Sequence, residues 1–453
     1  MPFFLVACTF SYYGQLHREQ SADTWGTIYT SVALVEQRTI WLDDYFPLIQ
    51  ERAGERPYMV QEGPGGHVVT STPTASSLLA LPVVAGFSAA GVEAEDFNAW
   101  LEAGMLAGSI TAALSVAVLF LVLLQLTTRG RAALIAATYA WGTLSWGTNG
   151  QALWQHAGVA LALSITLWAL INRRLALAGF AAGAMVAFRL PTAILVLCLL
   201  PLVGKRLVDW RRFALGVLPY AVALAAYNFV AFGSPLEQGY GSGHLTNWIS
   251  INAGNLAEGV PGLLVSPGRG LFVYSPILLF ALFGAVRGWG TPLYRWCAVA
   301  AAVYVVFAAN SINWHGGESF GPRRLADILP LLAVLLVPAL DAVWRTRWMW
   351  LYGALLGWSV FVQLLGTASW EVAAWYDERD LTADGTWWDP VDNELVAILQ
   401  SAGLVPRLLA MLGILAAGLA LGALATVTTR SLNRAIGDAR RSRLDAHADE
   451  VRS

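Results

Sequence analysis

The sequence predicts an all-α polytopic membrane protein, and three observations carry that expectation. The chain of 453 residues is 57% hydrophobic and only 13% charged. Apolar runs of about 17–25 residues recur along it, each able to span a hydrocarbon core of about 30 Å. The segments of roughly ten alternating residues that a closed barrel requires are absent. The formal net charge of −2 gives no footprint for nucleic acid.

Residues 2–16 form a short first span. They lack a basic n-region and a cleavage-like end, so they do not read as a signal peptide. Residues 17–102 are a large first extracytoplasmic loop. It holds Asp23, after which Ile28, Val32 and Val35 recur at helical spacing, as in an amphipathic helix lying on a surface. The run 76–92, SSLLALPVVAGFSAAGV, is long enough to cross. However, 103–127 ends in TTRGR, which marks the cytoplasm, and the link EAEDFNAWLE is acidic. So 76–92 is read as re-entrant or interfacial.

The spans 132–148 and 152–171 then run outward and back, to Arg173 and Arg174. The run 175–204 has basic clusters at both ends and must be a hairpin, with its turn at FRLP and Arg189 at the tip. Further spans at 213–232, 271–287, 293–309, 325–344, 348–369 and 404–428 bring the total to about twelve, with both termini cytoplasmic. The chain thus divides into a transmembrane unit, 1–429, and a charged cytoplasmic tail, 430–453, suited to anionic lipid. Cys8, Cys198 and Cys297 lie in apolar runs and read as packing residues. No Walker motif, HExxH or inverted repeat stands out.

Polar groups at membrane depth are costly and call for a reason. On the outer side they gather. The first loop has Asp23, the Asp43–Asp44 pair and GPGGHVV with His67. WGTNGQALWQH ends at His156, and the hairpin tip supplies Arg189. SPGRGLFVYSP carries Arg269, and NWHGGESFGPRR carries His315, Glu318, Arg323 and Arg324. One carboxylate facing several Arg and His suits a base beside a phosphate cradle. Guanidinium forks grip phosphate oxygens, and a carboxylate can take a hydroxyl proton. Each residue also has a structural reading. Asp23 can cap the helix after Thr24. Arg189 can snorkel to head groups. Arg323 and Arg324 can anchor at the interface, and His156 and His315 can be satisfied inside the fold. Trp387 and Trp388 can stack on a sugar or merely cover the site.

The segments STPTASSLLALP, ALWQH, AFRLP, YNFVAFGSP, SPGRGLFVYSP and WHGGESFGPRRLADILP, with the carboxylate after the first span, resemble the GT-C class of membrane glycosyltransferases. The chain is similar there to dolichyl-phosphate-mannose protein mannosyltransferase-like and lipid-A aminoarabinose transferase-like proteins, over roughly residues 1–340. The family's Asp–Glu pair is Asp23–Thr24 here.

The resemblance implies a GT-C-like fold and a plasma-membrane enzyme with an extracytoplasmic site. It implies inverting transfer from a polyprenyl-phosphate-linked sugar to a glycan, lipid or protein acceptor. Asp23 would be the base, and Arg189, Arg323 and Arg324 would hold the phosphate, with Arg269 as the next candidate. His67, His156, His315 and Glu318 are candidate substrate contacts. No metal-ligand spacing is evident and no cofactor is expected, although some members of the class use a divalent cation. The alternatives are a transporter or flippase of lipid-linked glycan, and a lipid-linked glycan polymerase or ligase.

Overall fold

The computed structural model describes residues 1–16, 22–54, 57–239, 250–368, 375–376, 379, 381 and 385–452, with side chains to 433. Six helices among these are long and apolar enough to cross a membrane: Phe97–Leu126, Leu207–Phe232, Pro292–Ala309, Arg323–Val343, Trp348–Ala368 and Leu404–Asn433. Shorter apolar helices fill out the bundle, and the only described sheet is a two-stranded hairpin.

The chain opens with α1 (Pro2–Tyr13), which packs between α5 (Phe97–Leu126) and the terminal helix α17 (Leu404–Arg452). Between α1 and α5 lie α2 (Trp25–Glu36), α3 (Phe46–Ala53), β1 (Val60–Glu62), β2 (Val68–Thr70) and α4 (Ala75–Ala89). One sequence expectation is corrected here. Every residue from Gly26 to Ala33 of α2 is buried, so this is not a surface helix with one wet face. α4 and the hairpin cover the side that the spacing of Ile28 and Val32 leaves open. Ser77 donates to the Thr27 carbonyl at 2.8 Å, and Thr27 pairs with Thr72 at 2.8 Å.

α6 (Arg129–Trp141) ends earlier than the apolar run that encodes it. Residues 142–154 break away from α6 inside the protein and hold one π-helical turn, Ser145–Asn149. Backbone at this depth needs partners. Gln15 donates to Trp146 O at 2.9 Å and Ser109 to Gly150 O at 2.9 Å, while the Thr148 hydroxyl in turn donates to Phe320 O at 3.2 Å. The break sets Trp154, Gln155 and His156 at the entry of α7 (Gln155–Ile171).

α8 (Leu175–Phe188) and α9 (Ala193–Leu199) form the arms of the hairpin, with Arg189 in extended backbone between them. α8 and α10 (Leu207–Phe232) meet backbone to backbone. A Cβ on Gly179 would stand 1.9 Å from the Phe213 carbonyl oxygen, and one on Gly216 2.0 Å from that of Ala176. Only small residues allow such an approach. After α11 (Ala253–Val265) come α12 (Leu279–Gly288), α13 (Pro292–Ala309), α14 (Leu329–Val343), α15 (Trp348–Ala368) and the short α16 (Glu394–Gln400). The deepest core gathers on α14, whose residues Leu329–Val337 are all buried.

Candidate functional site

A cavity of about 560 Å³ opens where the first loop meets the ends of α7, α8, α13 and the turn before α14. Asp23, His156, Arg189, Arg323 and Arg324 line it together with Gln155, Asn252, Asn255, Asn310 and Asn313.

Asp23 sits in a single helical turn, Ala22–Thr24, ahead of α2. Thr24, not Asp23, is the cap residue of α2, and the Asp23 carboxylate is bonded elsewhere. Its Oδ1 accepts from the Tyr58 hydroxyl at 2.7 Å and its Oδ2 from Arg323 at 2.8 Å. The side chain keeps 31% exposure, toward the cavity it lines. Burial pushes the carboxyl up, but Arg323 and Tyr58 outweigh it and hold Asp23 below its ordinary value of 3.8.

Arg323 also donates to Gly316 O at 2.6 Å, and its guanidinium lies 4.5 Å from the centre of the Trp154 ring. Gly316 and Gly317 take φ of 86° and 71°, which lets the loop fold back under the arginine.

Arg189 is not the arginine that holds Asp23. Its partner is Asp327, a fully buried carboxylate in the turn Arg323–Ile328. The same Asp327 oxygen accepts from Tyr304, and its other oxygen lies 2.7 Å from His156 Nδ1. Tyr304 also accepts from Arg189 at 2.8 Å. Sequence reasoning passed over Asp327, Tyr304 and Tyr58. Asp327 carried a signal, because it is a lone carboxylate where GPRRLADILP turns apolar.

Five candidates stand outside the cavity. Arg269 has no exposed surface and is held in a knot of its own. It pairs with buried Glu394 and donates to His315 O at 3.0 Å, Gly317 O at 2.9 Å and Tyr376 at 2.8 Å. Burial works against its charge, yet Tyr376 and Glu394 outweigh it and keep it protonated. It is therefore no phosphate grip. His315 is buried and stacks on Trp387 with ring centres 4.9 Å apart. Burial, with Arg269, Arg324 and Arg323 nearby, pushes its imidazole down to about 3. Trp387 is 1% exposed beneath Arg269 and His315, so it cannot stack on a sugar. His67 pairs with Asp43 at 2.7 Å and stacks on Trp41 at the surface. Glu318 is exposed and does not line the cavity.

No family model and no curated protein matches the chain. A solved structure is similar in fold: ArnT from Cupriavidus metallidurans bound to undecaprenyl phosphate. The match covers 94% of this chain and 76% of that one, at 15% identity and a TM-score of 0.48. Among the described residues no group of three or more His, Cys, Asp or Glu gathers as a metal site would.

Proposed function

We propose that this protein is a membrane glycosyltransferase that moves a sugar from a polyprenyl-phosphate donor to an extracytoplasmic acceptor. One observation carries the reading: Asp23 and the three cavity arginines, brought from three separate parts of the chain, line a single cavity. Arg189, Arg323 and Arg324 are of the type that binds a phosphate and stabilises it as it leaves. Asp23 accepts the proton of the attacking hydroxyl, and attack opposite the phosphate inverts the anomeric centre. The amides of Asn252, Asn255 and Asn313 suit sugar hydroxyls.

A second cavity of about 420 Å³ supports a lipid-linked donor. It is lined largely by apolar residues of α8 and α10 and shares Pro73, Leu190 and Gln238 with the first. The first isoprene units fit there, with the phosphate at the arginines.

The site lies at the bundle end opposite TTRGR, Arg173 and Lys205, which the arginine distribution assigns to the cytoplasm. Its lining comes from that one end, whereas a flippase pathway needs lining from both ends.

The test is a deletion strain. Its membranes, given labelled polyprenyl-phosphate hexoses and pentoses, lose one transfer product, and restoring the chain restores that product. A product pattern identical to the parent's would reject the reading.

A further inference from the structure

Asp23 is poorly placed to keep a proton. Both of its oxygens are engaged, by Tyr58 at 2.7 Å and Arg323 at 2.8 Å. Burial raises its carboxyl, but Arg323 and Tyr58 hold it below 3.8. A proton taken there at neutral pH leaves again at once.

His156 lines the same cavity. Its Nδ1 lies 2.7 Å from Oδ1 of Asp327, and Asp327 is fixed from its other side by Arg189 and Tyr304. An ionised carboxylate only accepts, so Nδ1 carries the hydrogen. The lone pair then sits on Nε2, at the opposite edge of the ring. A buried Asp that sets the tautomer and aim of an imidazole is the arrangement of a proton acceptor. The charged and titratable groups around the ring are Asp327, Arg189 and Tyr304 behind it, with Asp23, Arg323 and Arg324 on the cavity wall.

We propose that His156, oriented by Asp327, carries the acceptor's proton away from Asp23. This rests on the glycosyl-transfer reading above. The acceptor oxygen forms its bond to the anomeric carbon as its O–H bond breaks, and the proton goes to Asp23. The bond from that carbon to the phosphate oxygen breaks, and its electron pair leaves with the polyprenyl phosphate. The proton then passes through cavity water to Nε2 of His156, and from the imidazolium to solvent. The phosphate gains a negative charge in the cavity where the imidazole becomes positive, so the two changes offset each other. Asp327 is a positioning residue, since it touches only His156, Arg189 and Tyr304 in this scheme.

The experiment uses deletion-strain membranes carrying the full-length wild-type chain, His156→Gln or His156→Ala. The probes are labelled polyprenyl-phosphate hexoses and pentoses, from about pH 5 to 8. His156→Gln should lower the maximal rate about 10²-fold, within the range for lost proton transfer, at unchanged half-saturating donor. The fall of wild-type rate toward acid pH in that range should vanish in the variant. Added imidazole should restore part of the His156→Ala rate, which a packing defect would not allow. A His156→Gln protein with the wild-type rate and pH profile would overturn the proposal. So would a loss confined to donor affinity with no rescue by imidazole. A wild-type chain that uses none of the donors would instead reject the glycosyl-transfer reading, and this proposal with it.

Discussion

Nη1 of Arg323 lies 2.8 Å from Oδ2 of Asp23, across 300 positions of chain. This ion pair closes the first loop onto the turn that starts the α14 span. It also brings the one carboxylate of the described cavity lining against an arginine suited to hold phosphate. Donor phosphate would compete with Asp23 for Arg323. Arg323→Ala should therefore weaken donor binding and also shift the acid limb of the rate profile, as Asp23 loses the charge that holds it low. Donor titrations across pH check both effects. An unchanged half-saturating donor level would remove Arg323 from the phosphate site.

Arg189 and Asp327 should respond as a buried pair. Arg189→Ala leaves the Asp327 carboxylate without its cation and should cost about 3–5 kcal/mol, read as a lower melting temperature in detergent. Arg189→Lys should recover stability better than transfer, because an ammonium cannot fork across two phosphate oxygens. Equal recovery of both would argue against a phosphate role.

The knot around Arg269 gives a pH prediction. The folded His315 imidazole is pushed down to about 3 from an ordinary value of 6.5. The folded state then binds fewer protons than the unfolded chain between those values. Stability is fully present above pH 6.5 and falls as the pH drops below it. Melting temperatures from pH 7.5 to 4 should show that slope, reduced in His315→Gln. Asp23 contributes in a lower window, losing its share only as the pH falls below 3.8.

Gly179 tests the helix contact behind Arg189. A methyl group there meets the Phe213 carbonyl, so Gly179→Ala should cost about 1–3 kcal/mol. Gly413→Ala meets nothing within 4 Å and serves as the control. Comparable melting temperatures for the two variants would mean that α8 and α10 do not meet this closely.

The sequence made the bundle legible because apolar length and arginine placement are properties of single segments. Asp23, Arg189 and Arg323 could be picked out for a similar reason, being charges next to apolar runs. Their partners could not be. Asp327 and Asp23 are equally plausible anions for Arg189 until the turn before α14 is placed. Arg269 looked like a phosphate ligand in PGRG because Glu394, 125 positions away, is invisible locally. α2 misled for a related reason. A helical stripe shows which face is apolar, but not that α4 and the β-hairpin cover the rest.

The central claim is most directly tested by comparing the wild type with Asp23→Asn. Both chains would be expressed in the deletion strain and their membranes given labelled polyprenyl-phosphate sugar. The account predicts that the wild-type membranes transfer it. It predicts an Asn variant that is inserted and folded but about 10²–10⁴-fold slower. An Asn variant that transfers sugar at the wild-type rate would contradict it.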